Sequence, residues 1–281
     1  MKTSLPTRHP ALRRLAAAGA ALAAGLLVSA SSCETVRPAV KPTTDVPSAG
    51  HFPHARIGLL YDKVVKDGLV DYAAVSIEES LLEDYLGELG RVSPDAQPHL
   101  FPTQEDELAY WINAYNACVL RGVLRLNRPS NLKDLGGKLD SMSFVLGGRE
   151  VSLNGILAVL RRRYHDPRAT FAMANGRRGG PPLDKAPFEP ADLDARLQAA
   201  ARAFVADPRN VEWAPPGRTV RFSHVIMDNR GDFERLMPTT VSDDLRLVGA
   251  MNRWRAAADQ IHADHVAALP YDTRLNDIAN R

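Results

Sequence analysis

The chain is organised around one apolar stretch, Leu108-Ala109-Tyr110-Trp111-Ile112-Asn113-Ala114-Tyr115-Asn116-Ala117-Cys118-Val119-Leu120. Its large side chains recur at three- and four-residue steps, which places them on one side of a helix: Leu108, Trp111, Ile112, Tyr115 and Val119. Just upstream, Thr103 is a suitable N-cap, and the acidic run at 105–107 suits the positive end of a helix dipole. The pattern therefore predicts a capped core helix.

Two asparagines interrupt this apolar stretch. Asn113 and Asn116 are three residues apart, so they share a helix face about one turn apart. A buried amide without partners costs roughly 1–3 kcal/mol, so each side chain must be bonded to something nearby. Two interpretations remain open: each asparagine ties a neighbouring loop to the helix, or it lines a pocket.

The same stretch carries a family signature. The motif W-I-N-x-Y-N at Trp111 to Asn116 resembles that of the domain of unknown function 547, which is found in bacterial secreted proteins and in plants. Shorter pieces match in the same order: Asp67-Gly68-Leu69-Val70-Asp71-Tyr72, Val151-Ser152-Leu153-Asn154, Asp166-Pro167-Arg168, Pro181-Pro182-Leu183, Ser223, Asp232-Phe233, Tyr271-Asp272 and Leu275-Asn276. The resemblance covers residues 54–277 and implies kinship of fold, while the family name assigns no activity.

The chain departs from these relatives where they carry reactive side chains. Relatives usually read D-P-R-I-H-F-A-L and then a stretch that ends in C-P-P-L; here Thr170 takes the histidine position and Gly180 the cysteine position. Relatives also often place Glu-His on the preceding helix, where this chain has Leu157-Ala158. Cysteine and histidine in facing loops would supply a thiol nucleophile and its base. The resemblance thus implies a family site whose reactive residues this chain has lost.

The segment around Gly180 reads as a strand followed by a loop. Phe171-Ala172-Met173-Ala174-Asn175 is apolar enough for a buried strand, and the glycine-rich stretch 176–182 follows it. Glycines with two arginines suggest phosphate binding. However, the loop does not have the lysine-serine ending of a P-loop, and its two prolines donate no amide. The sequence therefore disfavours a phosphate site.

The N-terminal region reads as an export signal. Four basic residues precede an apolar run at 15–30, which is typical of a secretory signal and is shorter than the roughly 20 residues of a membrane span. The stretch from Ser29 to Cys33 resembles a bacterial lipobox, which would leave an acylated Cys33 as the new N-terminus. Alternatively, ordinary cleavage after Ala30 would release a secreted protein. We expect a membrane-anchored protein of the bacterial envelope that faces the periplasm.

Composition and pattern divide the rest of the chain. Residues 1–32 are the predicted signal, residues 33–53 are a proline-rich disordered tether, and residues 54–281 form one globular domain. Apolar periodicity in that domain predicts several helices, including one over 243–265, and hairpins at 144–151 and 211–222. The predicted fold is α+β, mostly helical, with a small antiparallel sheet from the two hairpins.

Charge and residue types exclude several kinds of partner. Without the four basic residues of the signal, the formal net charge of +2 becomes −2, which gives no basic face for nucleic acid. His262 and His265 are only a pair, whereas zinc needs three or four ligands, so we expect no metal and no other cofactor. Cys118 lies in the apolar helix and reads as a buried hydrophobe.

The functional prediction is a non-catalytic binding or interaction domain on a degenerate scaffold, a pseudoenzyme. Its partners would be the membrane, through the lipid at Cys33, and an unidentified protein or small molecule. The alternative is a hydrolase or acyl-transfer enzyme; a triad of Ser223, a histidine and Asp232 stays open, although no nucleophile-elbow pattern surrounds the serine. The candidate pocket consists of Trp111, Asn113, Tyr115, Asn116, Asn175, Gly180 and Asp232.

Overall fold

The computed structural model describes residues 35–36 and 51–280, and the predicted central helix runs over Gln104–Arg125. In chain order the elements are β1 (Thr35–Val36), α1 (Ala55–Val64), β2 (Val65–Lys66), β3 (Leu69–Val70), α2 (Tyr72–Ile77), α3 (Glu79–Arg91), α4 (Gln104–Arg125), α5 (Lys138–Ser141), β4 (Ser143–Leu146), β5 (Arg149–Ser152), α6 (Leu153–Arg163), α7 (Leu193–Ala206), β6 (Val211–Glu212), β7 (Thr219–Phe222), α8 (His224–Met227), α9 (Arg230–Glu234), α10 (Asp243–Asn252) and β8 (His265–Ala268). Short 3-10 helices include Pro98–Leu100, Leu132–Leu135, Pro167–Ala172, Pro190–Asp192, Ala257–Asp259 and Ile278–Asn280. The predicted signal and Cys33 lie outside the described residues.

Helix α4 begins where the sequence predicts it. The Thr103 hydroxyl accepts a bond from the backbone N–H of Asp106, and the Asp106 carboxylate accepts one from the N–H of Thr103, which forms a capping box. Every residue from Leu108 to Leu120 is buried, so neighbours surround the helix rather than cover a single stripe. The helix is the axis on which the other elements pack.

The two predicted hairpins are present, and the α+β, mainly helical fold class is confirmed. β4 and β5 pair antiparallel, and so do β6 and β7. Each hairpin also gains a parallel strand that was not predicted: β1 beside β4, and β8 beside β7. The result is two separate three-stranded sheets, with β2 and β3 forming a third, two-stranded one.

Two predicted elements are wrong. The helix predicted over 243–265 ends at Asn252, whose side chain bonds both the N–H and the C=O of Ile261, and the chain then returns as β8. The strand predicted at 171–175 is instead the end of a 3-10 helix followed by irregular chain. Its apolar residues are buried as expected, but their backbone partner is the side chain of Asn116 and not another strand.

The buried side chains form two hydrophobic clusters. The larger one surrounds α4 and includes residues from α1, α3 and α6. The second lies between α7, the β6–β7 hairpin, α9 and α10, and Phe171 is part of it. The Phe171 ring contacts Phe204, Phe233 and Trp254 at centroid distances of 4.8, 5.3 and 5.7 Å. The 3-10 helix that carries Phe171 therefore lies against α7 and the second cluster.

Parts of the predicted tether are attached to the domain. Thr35 and Val36 pair with Ser143 and Phe144 of β4. Phe52 is buried against Tyr110 and Phe101, with ring centroids 5.3 and 6.0 Å away. The described residues of the predicted tether therefore contact the domain, and residues 37–50 lie outside the described part of the chain. Within the described part of the chain, no helix combines the length and the apolar composition that crossing a membrane requires.

Candidate functional site

The glycine-rich loop is fixed by the C-terminal segment. The backbone N–H of Arg178 donates to the carbonyl of Arg274 at 2.9 Å, and that of Gly179 donates to Asp272 at 2.9 Å. The N–H of Gly180 donates to the carbonyl of Arg177, also at 2.9 Å. Three consecutive amides are thus occupied, so the loop cannot present them to a phosphate. Hydrogen bonds to the C-terminal segment therefore hold the loop in place, and the loop forms one wall of the cleft described below.

The two asparagines of α4 hold the two ends of this wall. Asn113 donates to the carbonyl of Phe188 at 2.7 Å and accepts from its N–H at 2.9 Å. Asn116 donates to the carbonyl of Ala172 at 3.1 Å and accepts from the N–H of Ala174 at 2.9 Å. Each side-chain amide donates one hydrogen bond to a backbone carbonyl and accepts one from a backbone N–H, as a neighbouring β-strand would. Both asparagines therefore act as clamps for neighbouring loops.

Gly180 has no room for a side chain. A Cβ atom there would overlap Oδ1 of Asn175, which accepts a bond from the N–H of Arg177 at 3.1 Å. Asn175 Nδ2 donates to the Tyr271 hydroxyl at 2.9 Å. At the neighbouring Gly179, a Cβ would lie 2.8 Å from the Tyr271 ring. Asn175 thus fills the space beside Gly180, and Tyr271 fills the space beside Gly179.

A cleft of about 940 Å³ lies beside this wall. One side is the loop from Arg177 to Phe188, and the opposite side is the face of α7 that carries Ala199, Ala200 and Ala203. Segments 207–210 and 270–276 close it further along. Its volume falls in the upper part of the range usual for small-molecule sites. Its lining combines apolar side chains with six basic and four acidic ones.

Ser223 lies in the wall of the cleft. Its Oγ is buried and has no hydrogen-bond partner among the described residues, while its N–H donates to the carbonyl of Asn210 at 2.8 Å. The next residue, His224, stacks on the Tyr271 ring at 5.1 Å and has its Nδ1 3.6 Å from the Asp228 carboxylate. The structure therefore shows no base bonded to the serine.

Asp232 is not among the residues that line the cleft with Ser223. Its carboxylate pairs with Arg161 at 3.0 Å and with Arg235 at 2.6 Å, and it lines a separate cavity of about 240 Å³. Thr170 and Leu157 line the same small cavity. The position at which relatives carry histidine and the position at which they carry cysteine therefore face different cavities in this chain.

The remaining candidate residues are placed as follows. Trp111 and Tyr115 are buried in the large cluster, and the indole N–H of Trp111 has no partner in the described part of the chain. Burial raises the pKa of the Tyr115 hydroxyl, an effect that nearby Asp140 reinforces. Of the seven candidate residues, Gly180 lines the large cleft, Asp232 lines the small cavity, and the other five support the surrounding structure. Among the described residues, no group of His, Cys, Asp and Glu side chains is arranged to hold a metal ion.

The rim carries a local motif that the sequence analysis missed. In Asp207-Pro208-Arg209, the Asp207 carboxylate accepts two hydrogen bonds from Arg209. One comes from the backbone N–H at 2.9 Å and the other from the guanidinium at 2.5 Å. In Asp272-Thr273-Arg274, the corresponding distances are 3.2 and 2.6 Å. We call these units Asp-Arg staples. The sequence pattern that could have revealed them is the recurrence of Asp-x-Arg. The pattern also occurs at 166–168, where the same two hydrogen bonds form away from the cleft.

The staples fix the charge state of the rim. Burial opposes ionisation of Asp207, but the hydrogen bonds from Arg209 outweigh it and lower the pKa of the carboxyl. The hydrogen bond from Arg274 lowers the pKa of Asp272. Burial raises the pKa of the Tyr271 hydroxyl, so it stays protonated near neutral pH. The rim therefore presents fixed guanidinium and carboxylate charges beside a neutral phenol.

Comparison with known proteins finds a family model that resembles part of the chain. Neither the curated proteins nor the solved structures contain a match to the chain. One family model matches, over a segment that contains α4, the β4–β5 hairpin, α6, the glycine-rich loop and most of α7. This is narrower than the range 54–277 that the shorter motifs suggested. Over residues 101–205 the chain thus matches the family described as protein of unknown function, DUF547, which confirms the resemblance read from Trp111 to Asn116.

Proposed function

We propose that this protein binds a small molecule in the large cleft and does not transform it. The observation that carries the proposal is the construction of the cleft wall. Asn113 holds Phe188, Asn116 holds Ala172, and the C-terminal segment holds the glycine-rich loop between them. A cavity whose walls are fixed before a ligand arrives loses little entropy on binding, which favours affinity.

The side chains around the cleft support a non-catalytic role. Nucleophilic catalysis needs a nucleophile within hydrogen-bond reach of a base. Gly180 has no side chain, and Asn175 occupies the space beside it. Cys118 does not line the cleft, and burial raises the pKa of its thiol well above its usual range, so the reactive thiolate is scarce. Thiol alkylation should therefore leave ligand binding unchanged.

An enzyme is the second candidate, and Ser223 is the residue that favours it. Its buried hydroxyl at the cleft has no hydrogen-bond partner among residues 35–36 and 51–280. Without a bonded base, a serine hydroxyl is a weak nucleophile near neutral pH. Turnover of any ester, amide or peptide probe that disappears in Ser223→Ala, while the fold is retained, would replace the binding proposal with this alternative.

A thermal-shift screen tests the binding proposal. Ala203 is an exposed residue of α7 that lines the cleft, so Ala203→Trp should fill the cleft without disturbing the core. Ligands that raise the Tm of the wild type should not raise that of the variant, because only the folded protein with an open cleft binds them. Ala195→Trp, exposed on the same helix but away from the cleft, is the matched control. Equal shifts in wild type and Ala203→Trp for every ligand would contradict the proposal.

The proposal includes export and anchoring. It rests on the apolar run at 15–30 and on the position of Cys33 at its end. A fatty-acid analogue fed to expressing cells should label the wild type and not Cys33→Ser, and only the wild type should stay with the membrane fraction. A mature N-terminus at Ser31 would instead show ordinary cleavage and a secreted protein.

A further inference from the structure

The cleft has one polar end, formed where three distant segments meet. Ser223 bonds the carbonyl of Asn210, which brings the β6–β7 hairpin to the segment after α7. His224 stacks on Tyr271, which brings in the C-terminal segment. Arg178 of the glycine-rich loop bonds the carbonyl of Arg274 in that segment. The side chains of this end therefore surround one small region.

This polar end has one positive charge more than its carboxylates neutralise. Arg178, Arg209 and Arg274 line it together with Asp207 and Asp272, and each aspartate is stapled to its own arginine. The Arg178 guanidinium donates to the carbonyl of Asn280, which carries no charge. The other basic side chains of the lining each have a carboxylate partner: Arg177 pairs with Asp140, Lys185 with Asp62 and Arg196 with Asp184. The surplus charge therefore lies at one end and suits a single negative charge.

The centre of the cleft suits a narrow hydrocarbon chain. Ala199 and Ala203 lie four residues apart on α7, so they share one face, and Phe204 and Leu183 add apolar surface. The helix from Arg196 to Asp207 extends about 16 Å at 1.5 Å per residue. Small side chains along that length leave an elongated apolar floor that leads to the charged end.

The hydroxyl of Ser223 supplies an independent reason for a ligand at the polar end. Its Oγ is buried in a wall of the cleft and has no hydrogen-bond partner within the described part of the chain. Buried hydroxyls normally have a hydrogen-bond partner, and an orphan one requires an explanation. Because Ser223 lines the same cleft as the arginines, a ligand oxygen at the polar end can supply the acceptor that this hydroxyl needs.

Resting on the proposed function, we infer that the cleft binds a linear monocarboxylic acid. Its carboxylate lies at the polar end with Arg178 and Ser223, and its hydrocarbon chain follows the alanine face of α7. A carboxylate carries the single charge that the surplus matches, whereas an alkyl phosphate carries more charge near neutral pH. Guanidinium groups bind carboxylates through paired hydrogen bonds, which gives the head group a fixed position.

Isothermal calorimetry on the full chain carrying Cys33→Ser, purified without detergent, tests the inference. The ligands share a ten-carbon chain: decanoate below its micelle concentration, decanol, decyltrimethylammonium and decyl phosphate. Decanoate should bind at least about tenfold more tightly than the other three. Arg178→Gln should weaken decanoate about tenfold, as expected when one charge-assisted contact is lost, and should leave decanol unaffected. Ala203→Trp should abolish binding of decanoate.

Two control variants separate the possible failures. Arg168→Gln removes an arginine from an Asp-Arg staple outside the cleft, and Ala195→Trp adds bulk to α7 away from it; both should bind decanoate like the parent. Suppose that decanoate, decanol and decyltrimethylammonium bind the parent equally and all fail to bind Ala203→Trp. That result would contradict the inference that the ligand is a carboxylic acid, and it would leave the proposed ligand binding in the cleft intact. Tighter binding of decyl phosphate would likewise overturn the choice of carboxylate. Decanoate affinity that survives Ala203→Trp would overturn both proposals.

Discussion

The interior around α4 and the rim of the cleft use the same kind of device in opposite environments. In both, a side-chain oxygen accepts a backbone N–H of a loop: Asn113 accepts from Phe188 inside, and Asp207 accepts from Arg209 at the rim. The inner groups are neutral and fully buried, so an unmade bond has no water to replace it. The rim groups are charged and reach solvent. Stability should therefore depend on the interior, while the rim remains available for a ligand.

The largest expected effect is at Trp111 in the interior. Its side chain is buried in the large cluster beside the Tyr110 ring, 5.1 Å away. Trp111→Ala should lower the free energy of unfolding by about 3–5 kcal/mol, the usual cost of a large aromatic cavity. Urea unfolding measures it. Trp213→Ala, at a half-buried tryptophan near the rim hairpin, is the control and should cost clearly less. If the two variants lost similar free energies of unfolding, the stability of the protein would not depend more on the interior than on the rim.

A pH-dependent effect should follow from His54. Burial lowers the pKa of this imidazole to about 3, although Asp106 opposes the shift, and its Nδ1 lies 2.7 Å from the Tyr85 hydroxyl. Unfolding restores the usual pKa of about 6.5, so between pH 6.5 and 3 the unfolded chain binds a proton that the folded chain does not. This contribution is complete above pH 6.5 and should fall by about 1.4 kcal/mol for each pH unit below it.

Paired variants isolate the His54 contribution. Urea unfolding at pH 7 and pH 5 should show a larger loss on acidification in the wild type than in His54→Gln. The exposed His99→Gln should behave like the wild type. If His54→Gln and the wild type lose the same free energy between these two pH values, the buried imidazole has no part in acid sensitivity.

Smaller losses should follow from the amide clamps. Asn113→Ala and Asn116→Ala should each reduce the free energy of unfolding by roughly 1–3 kcal/mol, because each leaves a buried N–H and C=O of a loop without partners. Chemical denaturation of both variants checks this. Asn154→Ala, at an exposed position of α6, should change stability by less than about 0.5 kcal/mol. Unchanged stability in both clamp variants would make them site residues rather than supports.

The smallest effect should come from the rim. Asp207→Ala and Asp272→Ala remove the carboxylates of the two staples, which lie at the surface with partly exposed arginines. Exposed ion pairs contribute about 0–1 kcal/mol, so the denaturant midpoint should hardly move. Removing a carboxylate also leaves more positive charge at the polar end, so decanoate affinity should rise. A loss of stability as large as that of the clamp variants would show that rim and interior are not distinct.

The sequence by itself determined the local parts of this protein. The spacing of Trp111, Ile112 and Tyr115, with Thr103 before them, was enough to predict α4 and its N-terminus, because helix periodicity and capping depend on residues a few positions apart. The β4–β5 hairpin was predictable for the same reason, since its turn residues Gly147 and Gly148 lie between its strands. The signature from Trp111 to Asn116 was enough to identify the family resemblance, which the family model confirms over residues 101–205.

Only the tertiary structure decided which residues meet. β8 pairs with β7 from more than 40 positions away. The bonds between Asn252 and Ile261 accompany the end of the helix that the apolar pattern extended to residue 265. Whether Asn113 holds a loop or lines a pocket depended on Phe188, 75 residues later. Asp232 and Gly180, grouped in one candidate pocket from the sequence, line different cavities. The partner of a polar side chain is fixed by chain segments brought together in folding, and no local pattern encodes their identity.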